Sequence, residues 1–304
     1  MITSALLNCG IIEVEFDVGI KAQYDLNIED KQYHYQATRR EKVQWTAWPN
    51  VYFTSFVKRT RQGRVIRIEI MKVIGHRGAA GLAPENTFAG FDLALEMGVD
   101  GIETDVQKTK DGKLVLFHSD RLDRTTNGRG VLQETPWQEL QYLDAGSWFD
   151  IKYAGQRIPL LLEALNRYGT RTYLDLEIKQ IGIELEVLDM VEQLHLLDRV
   201  AFTSRDFPIV CNIKKKNPLA QVGYLTADFS EENLERVSEA KIHYFCPRAE
   251  KITKHLVNQW RSLGLFIRAC GVNNAEIMRN AIQAGVDGMT FDFPDILLKE
   301  LGRV

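Results

Sequence analysis

The stretch that decides the fold is residues 72–106, KVIGHRGAAGLAPENTFAGFDLALEMGVDGIETDV. It begins with a short apolar strand, KVIG, and ends in a second strand, GIETDV. The segment between them has the spacing of an amphipathic helix from Thr87 to Met97, and Gly98 follows it as a typical helix C-cap. A strand, a helix and a second strand in this order are typical of a parallel α/β unit.

The same alternation of short strands and helices continues to the end of the chain. The strand candidates are KVIG (72–75), GIETDV (101–106), LVLF (114–117), TYLDLEI (172–178), VAFTS (200–204), QVGYL (221–225), IHYFC (242–246), LFIRAC (265–270) and GMTF (288–291). So many parallel strands favour a closed barrel over an open doubly wound sheet. The glycine signatures of nucleotide-binding sheets do not occur in the sequence, which weakens that alternative.

Several residues predict where the helices begin and end. Pro159 predicts the start of a helix that ends at Gly169, since proline is favoured in the first turn. Ser230 precedes two acids and predicts a helix N-cap. Asn274 predicts the start of another helix, which Gly285 ends.

Residues 1–70 differ from residues 71–304, so we predict a boundary between them. Alternating aromatic and β-branched runs such as IIEVEFDVGI, YHYQA and VYFTSFV predict a small β-rich region of unknown role. No motif in it suggests chemistry. We interpret it as an accessory β module, which could dock the chain to a partner, or as upstream sequence outside the natural protein.

Composition excludes several classes of protein. The chain has 304 residues, 38 lysines and arginines, 41 acids and a net charge of −3, so it lacks the positive field of a nucleic-acid binder. No apolar run approaches the ~18 residues that a transmembrane helix needs. The four cysteines are scattered, and no basic segment opens a secretion signal, so we expect a cytoplasmic protein without disulfides. The sequence does not indicate the oligomeric state.

The candidate catalytic residues follow the predicted strands. His76 and Arg77 come directly after KVIG, where a proton-transferring histidine and an anion-binding arginine would line a barrel's active site. Glu103 and Asp105 share one face of GIETDV, and two crowded carboxylates suit a hard divalent cation such as Mg²⁺ or Ca²⁺. Glu177 could complete this metal site.

Two further residues extend this cluster. Lys179 shares a strand face with Glu177 and could neutralise the charge of a substrate. A two-residue turn at Asp111-Gly112 would place Asp105 opposite His118 in a hairpin. A parallel crossover would instead place both of them at strand ends, so either geometry brings a second histidine to the acids.

These motifs together resemble the glycerophosphodiester phosphodiesterase family. The matching segments are G-H-R-G at 75–78, P-E-N-T at 84–87, G-V-D-G-I-E-T-D-V at 98–106, D-G-x-x-V-x-x-H at 111–118, the glycine-containing segment 123–130, E-x-K at 177–179 and G-V-D-G-M-T-F-D-F-P-D at 285–295. The resemblance extends from residue 72 to about residue 299. It implies a TIM barrel with a small insertion after the third strand, at about 119–158.

The resemblance also implies the activity and the residue roles. The reaction would be metal-dependent hydrolysis of a small-molecule glycerophosphodiester to sn-glycerol 3-phosphate and an alcohol. The implied metal ligands are Glu103, Asp105 and Glu177, the catalytic histidines are His76 as base and His118 as acid, and the phosphate contacts are Arg77 and Lys179. Glu85 and Asn86 of P-E-N-T would orient these groups.

Departures from the family pattern concern substrate fit. The seventh barrel strand has Cys270-Gly271-Val272-Asn273 where members often have a Trp-Thr-Val-Asn-like run, and Phe291-Asp292 stands where Thr-Asp is common.

Two rival functions stay open. One is a lysophospholipase D-type lipid phosphodiesterase, which an apolar mouth would favour, and the other is a barrel that binds a phosphodiester without turnover.

Overall fold

The computed structural model describes residues 71–304 throughout and, of residues 1–70, only the backbone of five strands. These strands are β1 (Ile11–Phe16), β2 (Ile20–Leu26), β3 (Tyr33–Tyr35), β4 (Ser55–Arg59) and β5 (Val65–Glu69). β1, β2 and β3 form an antiparallel sheet, and β4 and β5 form a separate antiparallel pair. Backbone proximity groups the chain into two units, Met71–Leu297 on the one hand and Met1–Ile70 with Leu298–Val304 on the other.

The larger unit is a closed barrel. Its strands are β6 (Lys72–His76), β7 (Gly101–Lys108), β8 (Leu114–Leu116), β9 (Tyr173–Ile178), β10 (Val200–Ser204), β11 (Gln221–Thr226), β12 (Tyr244–Pro247), β13 (Phe266–Val272) and β14 (Gly288–Phe291). All except β8 are parallel, and β6 pairs with both β14 and β7, which closes a ring of eight strands. The predicted TIM barrel is therefore confirmed, and β8 is an additional antiparallel partner of β7.

Helices connect these strands on the outside of the ring. They are α1 (Phe88–Met97), α2 (Trp137–Leu140), α3 (Leu161–Tyr168), α4 (Glu184–Gln193), α5 (Phe207–Lys216), α6 (Glu231–Glu239), α7 (Lys254–Ser262), α8 (Ala275–Ala284) and α9 (Pro294–Glu300). None of the helices in the described part of the chain has both the length and the apolar character needed to cross a bilayer.

Most of the predicted helix ends are confirmed. Gly98 and Gly285 cap α1 and α8 in the left-handed conformation, and Ser230 and Asn274 are N-caps whose side chains accept backbone hydrogen bonds. The helix predicted between Pro159 and Gly169 is confirmed as α3 with Gly169 as its C-cap, but it begins at Leu161, two residues after Pro159. The carbonyl of Pro159 instead accepts a hydrogen bond from Leu116 at 2.9 Å, which keeps this segment extended beside β8.

The barrel interior contains a buried ion pair beneath the site. Asp175 on β9 and Arg268 on β13 are 2% and 4% exposed, and their side chains contact each other. The Asp175 carboxylate also accepts a hydrogen bond from Thr203 at 2.6 Å, and Arg268 donates one to Thr290 at 2.8 Å. Buried charges are tolerated only when paired in this way.

The predicted insertion at 119–158 packs around its own small hydrophobic core. Phe117, Leu122, Leu132 and Leu140 are buried there, with Trp137 packed against them. Short helical turns and α2 make up the segment, which follows β8. This packing brings the insertion beside the carboxyl ends of β6 and β7, where the candidate active site lies.

Candidate active site

Three buried carboxylates converge at the carboxyl ends of β7 and β9. Glu103 and Asp105 alternate along β7 with the buried Ile102 and therefore face the barrel interior. Asp105 is paired in register with Glu177 of the parallel strand β9. One oxygen from each acid lies within 4.8 Å of the others, so the three side chains could hold a metal ion.

Two of the three acids, Glu103 and Asp105, have shifted pKa values. Burial, and then the charge of Asp105, raise the pKa of Glu103 to about 8. Burial also opposes ionisation of Asp105, but Arg77 and Lys179 outweigh it and lower the pKa of that carboxyl. Within the described residues, Glu103 Oε1 and Asp105 Oδ1 are buried and accept no hydrogen bond. Glu103 Oε1 has no partner there and Asp105 Oδ1 has only the ion pair with Lys179 at 3.4 Å, and such an all-oxygen donor set fits a hard divalent cation.

Two basic side chains flank the acids. Arg77 Nε lies 3.1 Å from Asp105 Oδ2, and its Nη1 donates to Glu85 at 3.0 Å. Lys179 Nζ lies 3.0 Å from Glu177 Oε1 and 3.4 Å from Asp105 Oδ1. Both predicted phosphate-binding residues therefore stand next to the predicted metal ligands.

His76 is held between two carboxylates. Its Nδ1 lies 2.5 Å from Asp292 Oδ1, and its Nε2 lies 3.8 Å from Glu103 Oε2. Burial disfavours the imidazolium, but Glu103 and the hydrogen bond to Asp292 outweigh it, so the pKa of His76 is raised. Sequence analysis assigned Asp292 only to substrate fit and missed this contact, because residues 76 and 292 are neighbours only after β14 pairs with β6.

His118 reaches the site from the β7–β8 hairpin. Its pKa falls to about 4, because burial and the charges of Arg77 and Lys179 together outweigh the attraction of Asp105. The hairpin alternative is confirmed, but the predicted register was wrong by one residue. Phe117, rather than His118, donates to the Asp105 carbonyl at 2.9 Å.

The shifted register has a local cause in the hairpin turn. Thr109 and Lys113 pair across a three-residue loop in which Gly112 has a φ of 85°. A left-handed glycine in such a loop is a common hairpin geometry. It replaces the two-residue turn that the sequence suggested.

The P-E-N-T residues brace the cluster. Asn86 donates to Asp105 Oδ2 at 2.9 Å and accepts a hydrogen bond from Thr104 at 2.6 Å. Glu85 accepts hydrogen bonds from Arg77 and from Arg124 of the insertion. Arg124 also lies 3.5 Å from His118 Nδ1, a contact that no sequence pattern predicts.

A cavity of about 260 Å³ lies at the barrel mouth. Both histidines, Arg77, Glu103 and Glu177 line it, whereas Asp105 and Lys179 adjoin these residues without lining the cavity. Arg205 after β10 and Arg248 after β12 line it as well, and sequence analysis missed both. Their only sequence signal is a position just after a barrel strand.

Comparison with known proteins agrees with this arrangement. The model of the glycerophosphoryl diester phosphodiesterase family matches residues 76–296. A glycerophosphodiester phosphodiesterase of Caldanaerobacter subterraneus is 36% identical over 232 residues, which cover 74% of this chain and 96% of that protein.

Two solved structures are also similar. A crystal structure of glycerophosphodiester phosphodiesterase from Agrobacterium tumefaciens has a TM-score of 0.69 and 28% identity, and covers 76% of this chain and 100% of that one. A phosphodiesterase of Oleispira antarctica, solved with the product sn-glycerol 3-phosphate, has a TM-score of 0.67 and 30% identity, and covers 75% and 95%. With its barrel, its buried acids and these relatives, the chain belongs to the glycerophosphoryl diester phosphodiesterase family of enzymes.

Proposed function

We propose that this chain hydrolyses small-molecule glycerophosphodiesters to sn-glycerol 3-phosphate and an alcohol, with Mg²⁺ or Ca²⁺ as cofactor. The observation that carries the proposal is the convergence of three buried carboxylates with two histidines at one barrel mouth. The Oleispira antarctica relative, whose structure contains sn-glycerol 3-phosphate as product, supports this product class.

The metal would be held by Glu103, Asp105 and Glu177. The buried Oε1 of Glu103, which accepts no hydrogen bond among the described residues, and the raised pKa of this carboxyl support a site that a divalent cation would stabilise. Once bound, the cation would offset negative charge that develops on the phosphoryl oxygens. Asn86 would keep the Asp105 carboxylate oriented through its 2.9 Å hydrogen bond.

Arg77 and Lys179 would bind the scissile phosphate. Each already contacts an acid of the cluster, so each is held beside the residues that would hold the metal. A phosphodiester is anionic and resists nucleophilic attack, and fixed positive groups lower that barrier. Glu85 would hold the guanidinium of Arg77 in place through its hydrogen bond.

His76 would act as the general base. The hydrogen bond from Nδ1 to Asp292 orients the ring and stabilises the imidazolium that forms when Nε2 accepts a proton. The nucleophile would be a hydroxyl of the substrate, giving a cyclic phosphate that water then opens, or water itself. In either case His76 Nε2 would receive the proton.

His118 would protonate the leaving alcohol. Its pKa of about 4 makes the ring neutral at pH 7 in the absence of substrate. An anionic phosphate beside it would raise that pKa, because a neighbouring negative charge favours the imidazolium. Substrate binding would thus favour the protonated His118 that the departure of the alcohol needs.

The cavity favours this reaction over the two rivals. Its lining is mostly charged or polar, with Leu225 and Val272 among its few apolar residues, so it lacks the apolar wall that a lysophospholipid chain needs. A barrel that merely bound phosphodiesters would have no use for two histidines beside an acidic cluster.

The test is turnover of glycerophosphocholine, glycerophosphoethanolamine and a lysophospholipid with Mg²⁺, Ca²⁺ or a chelator. We expect turnover of the first two only, and its loss with chelator. Glu103→Gln should abolish activity together with metal binding, whereas the control Glu96→Gln, an exposed acid on α1, should retain both. Full activity after exhaustive chelation would disprove the metal-dependent mechanism.

A further inference from the structure

The cavity carries more positive charge than its proposed chemistry uses. Four arginines and three carboxylates line it. Arg77 is engaged by Glu85 and Asp105, and Arg268 is engaged by Asp175 in the barrel interior. Arg205 and Arg248 remain, and the mechanism proposed above gives neither of them a role.

In both of these arginines, most guanidinium N–H groups remain available to a ligand. Arg205 Nε lies 3.6 Å from Glu177, and Arg248 Nε lies 3.4 Å from Glu250. A guanidinium has five N–H donors, so one distant carboxylate satisfies little of its capacity. The side chains are 62% and 43% exposed, which leaves them accessible to a ligand that enters the mouth.

The guanidinium of Arg248 lies against Gly271. Gly271 on β13 has a φ of 66°, and a Cβ added there would lie 3.8 Å from Cζ, Nε and Nη2 of Arg248. The guanidinium therefore lies over a residue without a side chain, beside the cavity. Any larger residue at 271 would adopt the left-handed region at an energetic cost, although its Cβ would make only an ordinary van der Waals contact with the guanidinium.

Arg248 stands across the mouth from the proposed reaction centre. In the ring of eight parallel strands, β12 lies four places from β7, which carries Glu103 and Asp105. The scissile phosphate would lie on the β7 side, near Arg77 and Lys179. Arg248 would therefore contact a part of the substrate other than that phosphate.

The lining disfavours a cationic alcohol. Among the described residues around the cavity there is no Phe, Tyr or Trp. Quaternary ammonium groups such as choline are recognised by aromatic rings, and two arginines would repel them. An oxyanion, in contrast, matches the planar fork of donors that each guanidinium presents.

We propose that Arg205 and Arg248 form a second anion subsite, which selects glycerophosphodiesters whose alcohol carries a phosphate. The inference rests on the proposed function, since it concerns the same substrate. The glycerol half is common to all such substrates and is uncharged, so the extra anion belongs to the alcohol. The anion would be a phosphate, because its several oxygens can accept hydrogen bonds from guanidiniums on two different loops.

The experiment compares three substrates by phosphorus NMR of the diester resonance: glycerophosphocholine, glycerophosphoglycerol, and glycerophosphoglycerol with a terminal phosphomonoester. We expect kcat/KM to be highest for the phosphate-bearing substrate and lowest for the choline ester. The preference for the phosphate-bearing over the neutral substrate should weaken as salt is raised, because exposed charges are screened.

The double variant Arg205→Gln/Arg248→Gln should lower this preference about tenfold, which corresponds to ~1.4 kcal/mol in the barrier. The double lysine variant, Arg205→Lys/Arg248→Lys, keeps the charge and should retain the larger part of the preference. The control is Arg171→Gln, which removes one arginine charge from an exposed residue before β9, at the opposite end of the barrel from Glu177. It should leave the preference as it is.

Three outcomes would contradict the inference. An unchanged preference in the double glutamine variant would mean that the two arginines do not bind the alcohol's anion. A wild-type preference for the choline ester would exclude the subsite directly. Failure to hydrolyse any of the three substrates, in protein shown by thermal unfolding to be folded, would instead overturn the proposed function on which the subsite depends.

Discussion

Metal binding should release a proton from Glu103. The pKa of this carboxyl is raised to about 8, because it is buried and lies beside Asp105. A carboxylate must lose its proton before it can bind a cation. At pH 7 a group with this pKa is about nine-tenths protonated, so binding should release at least ~0.9 proton per metal ion, and only ~0.1 from this group at pH 9.

The same linkage gives the sign of the pH dependence. Because the proton competes with the cation, affinity for the metal should rise about tenfold per pH unit below pH 8 and level off above it. Isothermal titration calorimetry in two buffers of different ionisation enthalpy measures the number of protons directly. The exposed control Glu96→Gln should release as many protons as the wild type, whereas Glu103→Gln should bind the metal weakly.

One result would refute this reasoning. If the metal binds tightly at pH 7 with fewer than about 0.2 proton released, Glu103 is already ionised at that pH, and its pKa is not raised as described. An affinity that does not change between pH 6 and pH 8 would lead to the same conclusion.

Three more predictions follow from the structure. His76→Ala and His118→Ala should each lower the rate about 10²–10⁴-fold. The double variant should lower the rate by less than the product of the two single effects, because both residues would act on one reaction path, and strictly additive effects in steady-state kinetics would argue against paired roles. Asp175→Asn should lower the free energy of unfolding, measured in urea, by about 3–5 kcal/mol, since it leaves the buried Arg268 unpaired, and adding Arg268→Met should recover most of that loss. A loss below about 1 kcal/mol would contradict the claim that a buried charge needs its partner. A chain that begins at residue 71 should have a kcat/KM on small glycerophosphodiesters within about tenfold of the full-length value, a difference of ~1.4 kcal/mol in the barrier. If the shortened protein is folded and binds metal but is inactive, residues 1–70 contain part of the site.

Local patterns in the sequence determined the barrel and the metal-ligand candidates. The strands and most helix caps follow from short-range rules: period-two alternation, Ser or Asn at N-caps and glycine at C-caps. Glu103 and Asp105 were predicted to share a face because alternation along one strand is a local property. Their convergence with Glu177 also follows, since parallel strands end at the same face of a barrel.

The residues that sequence analysis missed are those whose partners are distant along the chain. Asp292 contacts His76 across 216 positions, and Arg124 reaches Glu85 across 39. No periodicity links such residues, because the contacts depend on ring closure by β14 and β6 and on the packing of the insertion. The length of the turn after β7 likewise depended on the left-handed backbone conformation of Gly112, which the dipeptide Asp111-Gly112 does not specify by itself.

By itself, then, the sequence determined the type of fold and the family, and it indicated the acids and histidines of the candidate site. These are encoded in short segments, where strand and helix periodicity places side chains without reference to the rest of the chain. Only the tertiary structure decided how these groups are charged and what surrounds them: the raised pKa of Glu103, the carboxylate on His76, and the position of Arg248 over Gly271. Burial and distance between remote residues set these properties, and both exist only once the ring of strands has closed.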